Sequence, residues 1–351
     1  MAMSEPGYLR LHASGELEER VEQLYGLLSS CTVCPRDCGN DRLAGELASC
    51  ASGADPVVSS YTPHFGEEPA LSGTRGAGNI FLGNCNLRCV YCQNFQISQD
   101  YAGQRDNAVS VERLAEMALE LQDRGCHNIG FVSPSHYAPQ VARAILIAAR
   151  RGLRLPIIYN TNAYDSVEVL RLLDGVVDIY LPDLKYADSA AGWLYSKVPD
   201  YTECAREALI EMYRQKGSAL VVGEDGLLRG GLLVRVLALP NGVAGVAESL
   251  AWIAETLSPR VAISLMAQYY PIHRAASSEK YAALNRSITA AEWREALEAL
   301  ESNGFDRGFQ QELETANRYY RPDFRDRDAP FRDVRDFPRD RSPMASRPAG
   351  R

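Results

Sequence analysis

Three cysteines lie close together in one short segment, at Cys85, Cys89 and Cys92. A 4Fe–4S cluster takes one thiolate on each iron, so three cysteines would hold three irons and leave the fourth iron open to another ligand. The spacing C-x3-C-x2-C also fits one face of a helix, where the thiols would only be packing residues. However, the loop carries Gly83 and Asn84, which are poor helix formers. Zinc is a further alternative, but structural zinc sites use four ligands.

A second set of four cysteines lies nearer the amino terminus, at Cys31, Cys34, Cys38 and Cys50. Four thiols at the spacing C-x2-C-x3-C-x11-C form a closed ligand set. Such a set suits either a second 4Fe–4S cluster or a structural zinc ion. The spacing does not separate these two interpretations, and unliganded thiols are a third.

Seven of the nine cysteines fall between Cys31 and Cys92. The count is odd and no export signal precedes them, so we expect metal ligation in a reducing compartment, the cytoplasm, in place of disulfide bonds. The other two cysteines, Cys126 and Cys204, lie in or beside helical patterns. We expect both to be small buried hydrophobic residues.

Two charged elements accompany later apolar runs. In Asp183-Leu184-Lys185 an acceptor and a cation stand two residues apart, which places both side chains on the same side of an extended strand. A surface ion pair is the competing interpretation. Arg235 lies inside an apolar run, where a charge needs a partner, so it predicts either a ligand contact or a structural salt bridge.

The three-cysteine loop resembles the signature of the radical S-adenosylmethionine (SAM) superfamily, including an aromatic residue, Tyr91, before the last cysteine. Further motifs resemble the uncharacterised homologues of pyruvate formate-lyase activating enzyme. They are Cys-Pro-Arg-x-Cys-Gly at 34–39, His-Phe-Gly-Glu-Glu-Pro at 64–69, Tyr-Asn-Thr-Asn at 159–162, Asp-Ile-Tyr-Leu-Pro-Asp-Leu-Lys at 178–185 and Leu-Met-x-Gln-Tyr at 265–269. The resemblance extends from about Cys31 to Gln310.

The resemblance implies a set of cofactors and contacts. The open iron of a 4Fe–4S cluster would chelate SAM, and one electron from a donor such as flavodoxin or ferredoxin would release a 5′-deoxyadenosyl radical. Asp183 would accept a hydrogen bond from the SAM ammonium, Lys185 would meet its carboxylate, and Arg235 would lie beside the cofactor. We also expect Ser133 and Asn160 to bind the cofactor.

One departure from the family pattern follows the second strand. Many members carry Gly-Gly-Glu-Pro there, whereas this sequence has Phe-Val-Ser-Pro-Ser-His-Tyr at 131–137. Ser133, Ser135 or His136 could accept the same hydrogen bonds, but the carboxylate is missing; an ordinary Ser-Pro turn is the alternative. The stretch 64–69 could bind a substrate, support a cluster or be a solvated loop.

The elements that must position these residues follow from the apolar pattern. Short runs at 80–82, 129–132, 157–159, 176–181, 232–237 and 261–265 are typical of parallel strands covered on both faces. Between and after them, apolar residues recur at helical spacing at 111–124, 140–151, 166–173, 201–215, 246–257 and 290–302. The series predicts an α/β fold, a partial (β/α)6 barrel of the radical SAM type, with ligands at the carboxyl ends of the strands. The polar residues expected at that edge are Asn84, Ser133, Asn160, Asp183, Asn241 and Gln268.

We expect three regions in the chain. Residues 1–75 form an amino-terminal extension with the four-cysteine metal site, residues 76–310 form the radical SAM core, and residues 311–351 form a carboxy-terminal extension that is mostly a disordered tail. From residue 323 onward aromatic residues are sparse and Arg and Asp alternate with Pro. Such a composition buries little apolar surface.

The net charge of −8 argues against a broad nucleic-acid surface or attraction to an anionic membrane. The sequence favours a radical SAM oxidoreductase that cleaves SAM and abstracts hydrogen from a substrate. The resemblance implies a protein substrate and the role of a glycyl-radical-enzyme activase, and another radical SAM modification of a protein or a small molecule is also open. The alternative is a non-catalytic iron–sulfur electron carrier or a metal-stabilised binding module. A pure carrier would have every iron ligated by protein. No residue is assigned a catalytic role.

Overall fold

The computed structural model describes residues 5–315 and 322–331 and the strand Met344–Ser346. Within these residues ten strands form one sheet. The strands are β1 Val58–His64, β2 Ala77–Leu82, β3 Ile129–Val132, β4 Ile157–Thr161, β5 Ile179–Leu184, β6 Val221–Val222, β7 Leu228–Leu237, β8 Ala262–Met266, β9 Gly308–Gln311 and β10 Met344–Ser346.

The centre of the sheet is parallel and follows the order of the chain. Its order is β1-β2-β3-β4-β5-β7-β8-β9-β10, and each neighbouring pair from β2 to β9 is parallel. The edge strands β1 and β10 are antiparallel, and the short β6 pairs antiparallel with β7. The predicted α/β fold is confirmed, because each of the six apolar runs forms a parallel strand. β9 follows β8 as a further parallel strand.

Helices cover this sheet. They are α1 Gly7–Ser14, α2 Glu16–Gly26, α3 Pro69–Ser72, α4 Phe95–Ser98, α5 Val111–Asp123, α6 Ala138–Arg150, α7 Val167–Leu172, α8 Ser189–Ala191, α9 Tyr201–Lys216, α10 Val246–Thr256, α11 Arg274–Ser277 and α12 Ala290–Ser302. The longer ones bury the apolar stripe that the sequence shows at helical spacing. Ser110 and Thr289 begin α5 and α12 by accepting hydrogen bonds from backbone amides in the first turn.

The amino-terminal helices pack into the same hydrophobic core as the strands. Tyr8, Leu17 and Leu24 are fully buried there. The Gly7 amide donates a hydrogen bond to Asp178 Oδ1 at 2.9 Å, which ties the start of α1 to the residue before β5. The expected extension is therefore packed as part of the main body.

Part of the expected tail is packed against the sheet. Phe324 and Phe331 contact Phe81 of β2, with ring centroids 5.4 and 5.3 Å away. The Arg327 guanidinium donates to the carbonyl oxygen of Ser59 at 2.8 Å. Two aromatic residues and the Arg327 guanidinium thus anchor this segment, although its composition is otherwise polar. Apart from β10, the rest of the expected tail lies outside the described residues.

Among the described residues, we find no helix that has both the length and the apolar character needed to cross a membrane.

Candidate cofactor site

A cavity of ≈ 240 Å³ opens at the carboxyl ends of the parallel strands. Because neighbouring strands run parallel and in chain order, the loops that follow them meet at one edge of the sheet. The cavity is lined by the predicted site residues Cys85, Cys89, Cys92, Ser133, Asn160, Asp183, Lys185 and Arg235, and also by Asn84 and Gln268. Residues far apart in sequence are thus brought to one place.

Asn241 was also expected at this edge, and that expectation is wrong. It does not line the cavity, and its side-chain amide donates to Ala283 O at 2.6 Å and accepts from Arg286 at 2.7 Å. The chain leaves β7 at Leu237 and turns at Pro240, which directs Asn241 to the surface.

Each thiol of the three-cysteine loop has a polar neighbour from another segment. The Cys89 Sγ lies 3.0 Å from Ser196 Oγ, and the Cys92 Sγ lies 3.2 Å from Ser98 Oγ. The Cys85 Sγ accepts from Asn162 Nδ2 at 3.6 Å. Hydrogen bonds to cysteine sulfurs are among the features that set the reduction potential of an iron–sulfur cluster.

Burial keeps these thiols protonated in the absence of a metal. It raises the pKa of Cys85 to about 12 and of Cys92 to about 11, and it also raises the pKa of Cys89. A metal must displace those protons, because the thiolate is the ligand. Three soft sulfur donors, each with a hydrogen-bond partner, fit an iron–sulfur cluster with one open iron.

In the described part of the chain, no three His, Cys, Asp or Glu side chains converge closely enough to hold a single metal ion. A cluster does not require such convergence, because each thiolate binds a separate iron.

Asp183 and Lys185 form an ion pair inside the cavity. The Lys185 Nζ donates to Asp183 Oδ2 at 2.8 Å, and both side chains are largely buried. The Tyr201 hydroxyl lies 2.9 Å from the backbone nitrogen of Lys185 and from the carbonyl oxygen of Asp183, which fixes the end of β5. Burial opposes the charge on Lys185, but Asp183 and the Cys89 thiol raise its pKa above the usual range. Lys185 is therefore a cation in the wall of the cavity.

Arg235 is held by two glutamates from the 64–69 stretch. Its Nε donates to Glu68 Oε1 at 2.9 Å, and its terminal nitrogen donates to Glu67 and Glu68. Asn79 donates to Glu67 Oε1 at 2.7 Å. Burial would raise the pKa of Glu67, but Arg235 and His64 lower it to about 2. The stretch is thus no solvated loop, and Arg235 combines a salt bridge with a place in the cavity wall.

The polar residues of the segment after β3 do not all line the main cavity. Ser133 lines the cavity with a positive φ of 57°, and its amide donates to Asn160 O at 2.8 Å. Ser135 is buried against Thr161, with 2.9 Å between the hydroxyl oxygens. His136 also lies outside this cavity. Three residues were candidates to replace the carboxylate that this sequence lacks. Only Ser133 lines the main cavity, because the chain turns at Pro134.

The four amino-terminal cysteines line a second, small cavity together with Arg42 and His136. Burial raises the pKa of Cys34 to about 12.

This cavity lies against the three-cysteine loop. Arg36 donates to Asn86 O at 2.6 Å, Asn84 donates to Ala51 O at 3.0 Å, and Arg88 donates to Ser49 O. The two cysteine sets, which are separate in sequence, are neighbours in the fold.

The two isolated cysteines differ from each other. Cys126 is buried as expected, whereas Cys204 is only partly buried.

Comparison with known proteins identifies the domain that carries the first cavity. Residues 79–228, from β2 to the start of β7, match the model of the radical SAM superfamily. The chain carries a radical SAM domain. A radical SAM domain implies a 4Fe–4S cluster and SAM, and usually an electron donor. The match includes the three-cysteine loop and the Asp183–Lys185 pair.

Two relatives of this radical SAM protein come from Methanocaldococcus jannaschii. The uncharacterized protein MJ0674 is 28% identical over 294 residues, which cover 83% of this chain and 80% of that protein. The uncharacterized protein MJ0808 is 26% identical over 175 residues, which cover 44% of this chain and 49% of that protein.

Proposed function

We propose that this radical SAM enzyme binds its 4Fe–4S cluster through Cys85, Cys89 and Cys92 and holds SAM in the adjoining cavity. The observation that carries the proposal is the shared position of the three thiols and the Asp183–Lys185 ion pair in one cavity at the strand ends. Soft donors for iron stand there beside a cation and an acid that suit an amino-acid moiety.

Within that cavity the residues take different tasks. Lys185 binds the carboxylate of SAM and Asp183 accepts from its ammonium, so the pair exchanges an internal contact for two contacts with the cofactor. Ser133 and Asn160 add polar contacts from neighbouring strand ends. Arg235 with Glu67 and Glu68 carries a net charge of −1, which favours a cationic ligand nearby.

When bound, the cluster would supply one electron and SAM would supply a 5′-deoxyadenosyl radical, with methionine as the other product. The chain orients the cofactor and limits access of water. Pro322 and Phe331 line the same cavity from the carboxy-terminal segment. The substrate therefore approaches beside this segment and gives a hydrogen atom to the radical.

For the substrate we propose a glycine residue of a partner protein, which would make the enzyme a glycyl-radical-enzyme activase with a flavodoxin or ferredoxin as electron donor. The support is the resemblance of its motifs to activating-enzyme homologues. A protein fraction labelled with α-deuterated glycine tests this substrate. Deuterium in the 5′-deoxyadenosine product supports the activase role, and its absence contradicts it.

The test of SAM chemistry is anaerobic reconstitution with iron and sulfide, followed by dithionite and SAM. We expect about four irons at the three-cysteine loop and 5′-deoxyadenosine in the chromatogram. The Cys126→Ala variant is the matched control, because its thiol is buried away from the cavity. A reconstituted protein that does not bind SAM would contradict the proposal and favour an electron carrier.

A further inference from the structure

His136 presents a buried ring nitrogen without a partner. The residue lines the small cavity of Cys31, Cys34, Cys38 and Cys50 and is 1% exposed. The Nε2 atom lies 3.0 Å from the carbonyl oxygen of Gly83. A carbonyl only accepts, so Nε2 carries the hydrogen and Nδ1 carries a lone pair in the neutral ring. Among the described residues, Nδ1 has no hydrogen-bond partner.

Arg42 is a second unusual group in the same cavity. It is 1% exposed, and its guanidinium donates to the carbonyl oxygens of Gly53 and His136. No carboxylate pairs with it in the described part of the chain. A buried cation needs negative charge nearby, and the cysteines of the cavity supply it when they bind metal as thiolates.

We propose that this cavity is a second iron–sulfur centre in which Cys31, Cys34, Cys50 and His136 Nδ1 are the four ligands and Arg42 is the counter-charge. If Nδ1 did not bind a metal, its lone pair would be a buried acceptor without a hydrogen-bond partner, which costs stability. Leaving Cys38 free costs less, because this residue is only partly buried. An oxidised 4Fe–4S core with charge +2, three thiolates and a neutral histidine has a net charge of −1, which the Arg42 cation balances.

In this assignment each of the four donors binds a separate iron of the cluster. The centre also touches the three-cysteine loop, since the His136 Nε2 donates to the Gly83 carbonyl oxygen, two residues before Cys85. The proposal does not depend on SAM cleavage. Its test therefore uses the full chain with Cys85, Cys89 and Cys92 replaced by Ala, which removes the other cluster.

The first measurement is metal content after anaerobic reconstitution of this triple variant. We expect about four irons per chain and no stoichiometric zinc. Adding His136→Gln should remove at least half of the iron, because the Gln amide can still donate to Gly83 O but offers no nitrogen lone pair. Adding Cys38→Ser is the matched control and should leave the iron content unchanged. Iron absent from the triple variant, or zinc in its place, would overturn the proposal.

The second measurement is independent of whether His136→Gln folds. The dithionite-reduced triple variant is compared by pulsed electron paramagnetic resonance with and without ¹⁵N-histidine labelling. We expect a histidine nitrogen coupling that changes with the label. A reduced cluster without such coupling, together with loss of iron in Cys38→Ser, would show an all-cysteine centre and refute the role of His136.

Discussion

The three thiols of the main cavity each contact a side chain from a different part of the chain. Ser196 contacts Cys89, Ser98 contacts Cys92 and Asn162 contacts Cys85. Cys89 belongs to the hydrophobic core, and Cys85 and Cys92 pack against it. A change from Cys to Ala removes only the sulfur atom and keeps the Cβ in place, so we expect the loop to lose a thiol without loss of the fold.

Replacing Cys85, Cys89 or Cys92 singly by Ala should therefore abolish SAM cleavage while thermal unfolding stays within a few degrees of the parent. The reason is that each iron of the cluster needs its thiolate. The measurement is 5′-deoxyadenosine by chromatography, with circular dichroism for the fold and Cys126→Ala as the control that keeps activity. If any one of the three variants formed 5′-deoxyadenosine, the cysteine that it lacks would not be a ligand of the cluster.

Lys185→Ala should weaken SAM binding by roughly 10- to 150-fold, because a charge-assisted hydrogen bond contributes about 1.5–3 kcal/mol. The SAM dissociation constant is measured on protein of equal cluster content. Lys280→Ala, which removes an exposed lysine, is the control. Asp183→Ala should also weaken binding, and the double variant should be non-additive because the two side chains bind one moiety. If Lys185→Ala bound SAM as tightly as the parent, Lys185 would have only a structural role in its ion pair with Asp183.

At the scale of single residues, the sequence could predict site residues that lie close to one another in the chain. The three cysteines could be found from their spacing, whereas the Asp-x-Lys pair needed the resemblance as well. Ser196 could not be found, because it is 107 residues away from Cys89 and no spacing connects them. His136 was one of three candidates for the main cavity and lines the smaller one, since the sequence does not show in which direction the chain turns after Ser133.

At the scale of elements, the Arg235–Glu67–Glu68 cluster fastens the segment after β1 to β7. The apolar runs identified the central strands, but β1 was not predicted. Its sequence is Val-Ser-Ser-Tyr-Thr-Pro-His, which lacks a continuous apolar run because it is an antiparallel edge strand. The role of Glu67 and Glu68 could not be predicted either, because it is β1 that places them opposite Arg235.

This cluster predicts an acid-dependent loss of stability. The folded pKa of Glu67 is about 2, below its ordinary value of 4.5, so the folded state binds fewer protons than the unfolded state. Stability should be complete above about pH 4.5 and fall by on the order of 3 kcal/mol as the pH falls towards 2. Urea unfolding between pH 5 and pH 2.5 measures this dependence.

The experiment uses the metal-free form of the variant with Cys85, Cys89 and Cys92 replaced by Ala, so that acid release of a bound cluster does not contribute. Glu67→Gln in that background should flatten the dependence, whereas the exposed Glu279→Gln should preserve it. Equal slopes in all three proteins would show that the ion cluster does not stabilise the fold.

At the scale of the whole molecule, the amino-terminal helices and the sheet share one core. The sequence predicted an extension because its cysteines dominate the pattern, and the amphipathic helices before them were not recognised. Leu17 of α2 is fully buried in the core that includes residues of α6 and α7.

Leu17→Ala should therefore destabilise the entire protein by about 2–5 kcal/mol, as expected for a cavity in a main core. Glu19→Ala on the exposed face of the same helix is the control and should change stability by about 0.5 kcal/mol or less. Both values come from urea unfolding. If Leu17→Ala left the main transition unchanged and only added an early minor one, the extension would be an independent unit.

The sequential order of the sheet also has a consequence for the synthesis of this protein. The three cysteines leave the ribosome roughly 170 residues before the end of β8, which adds Met266 to the cavity wall, and Pro322 and Phe331 of that wall follow later still. Because translation adds about 5–20 residues per second, the thiols stay exposed for on the order of ten seconds or more before the cavity wall is synthesised. During that interval they are open to oxidation and to any metal that the cell leaves free. Cluster loading is therefore expected to be a post-translational step, in competition with nascent-chain thiol chemistry.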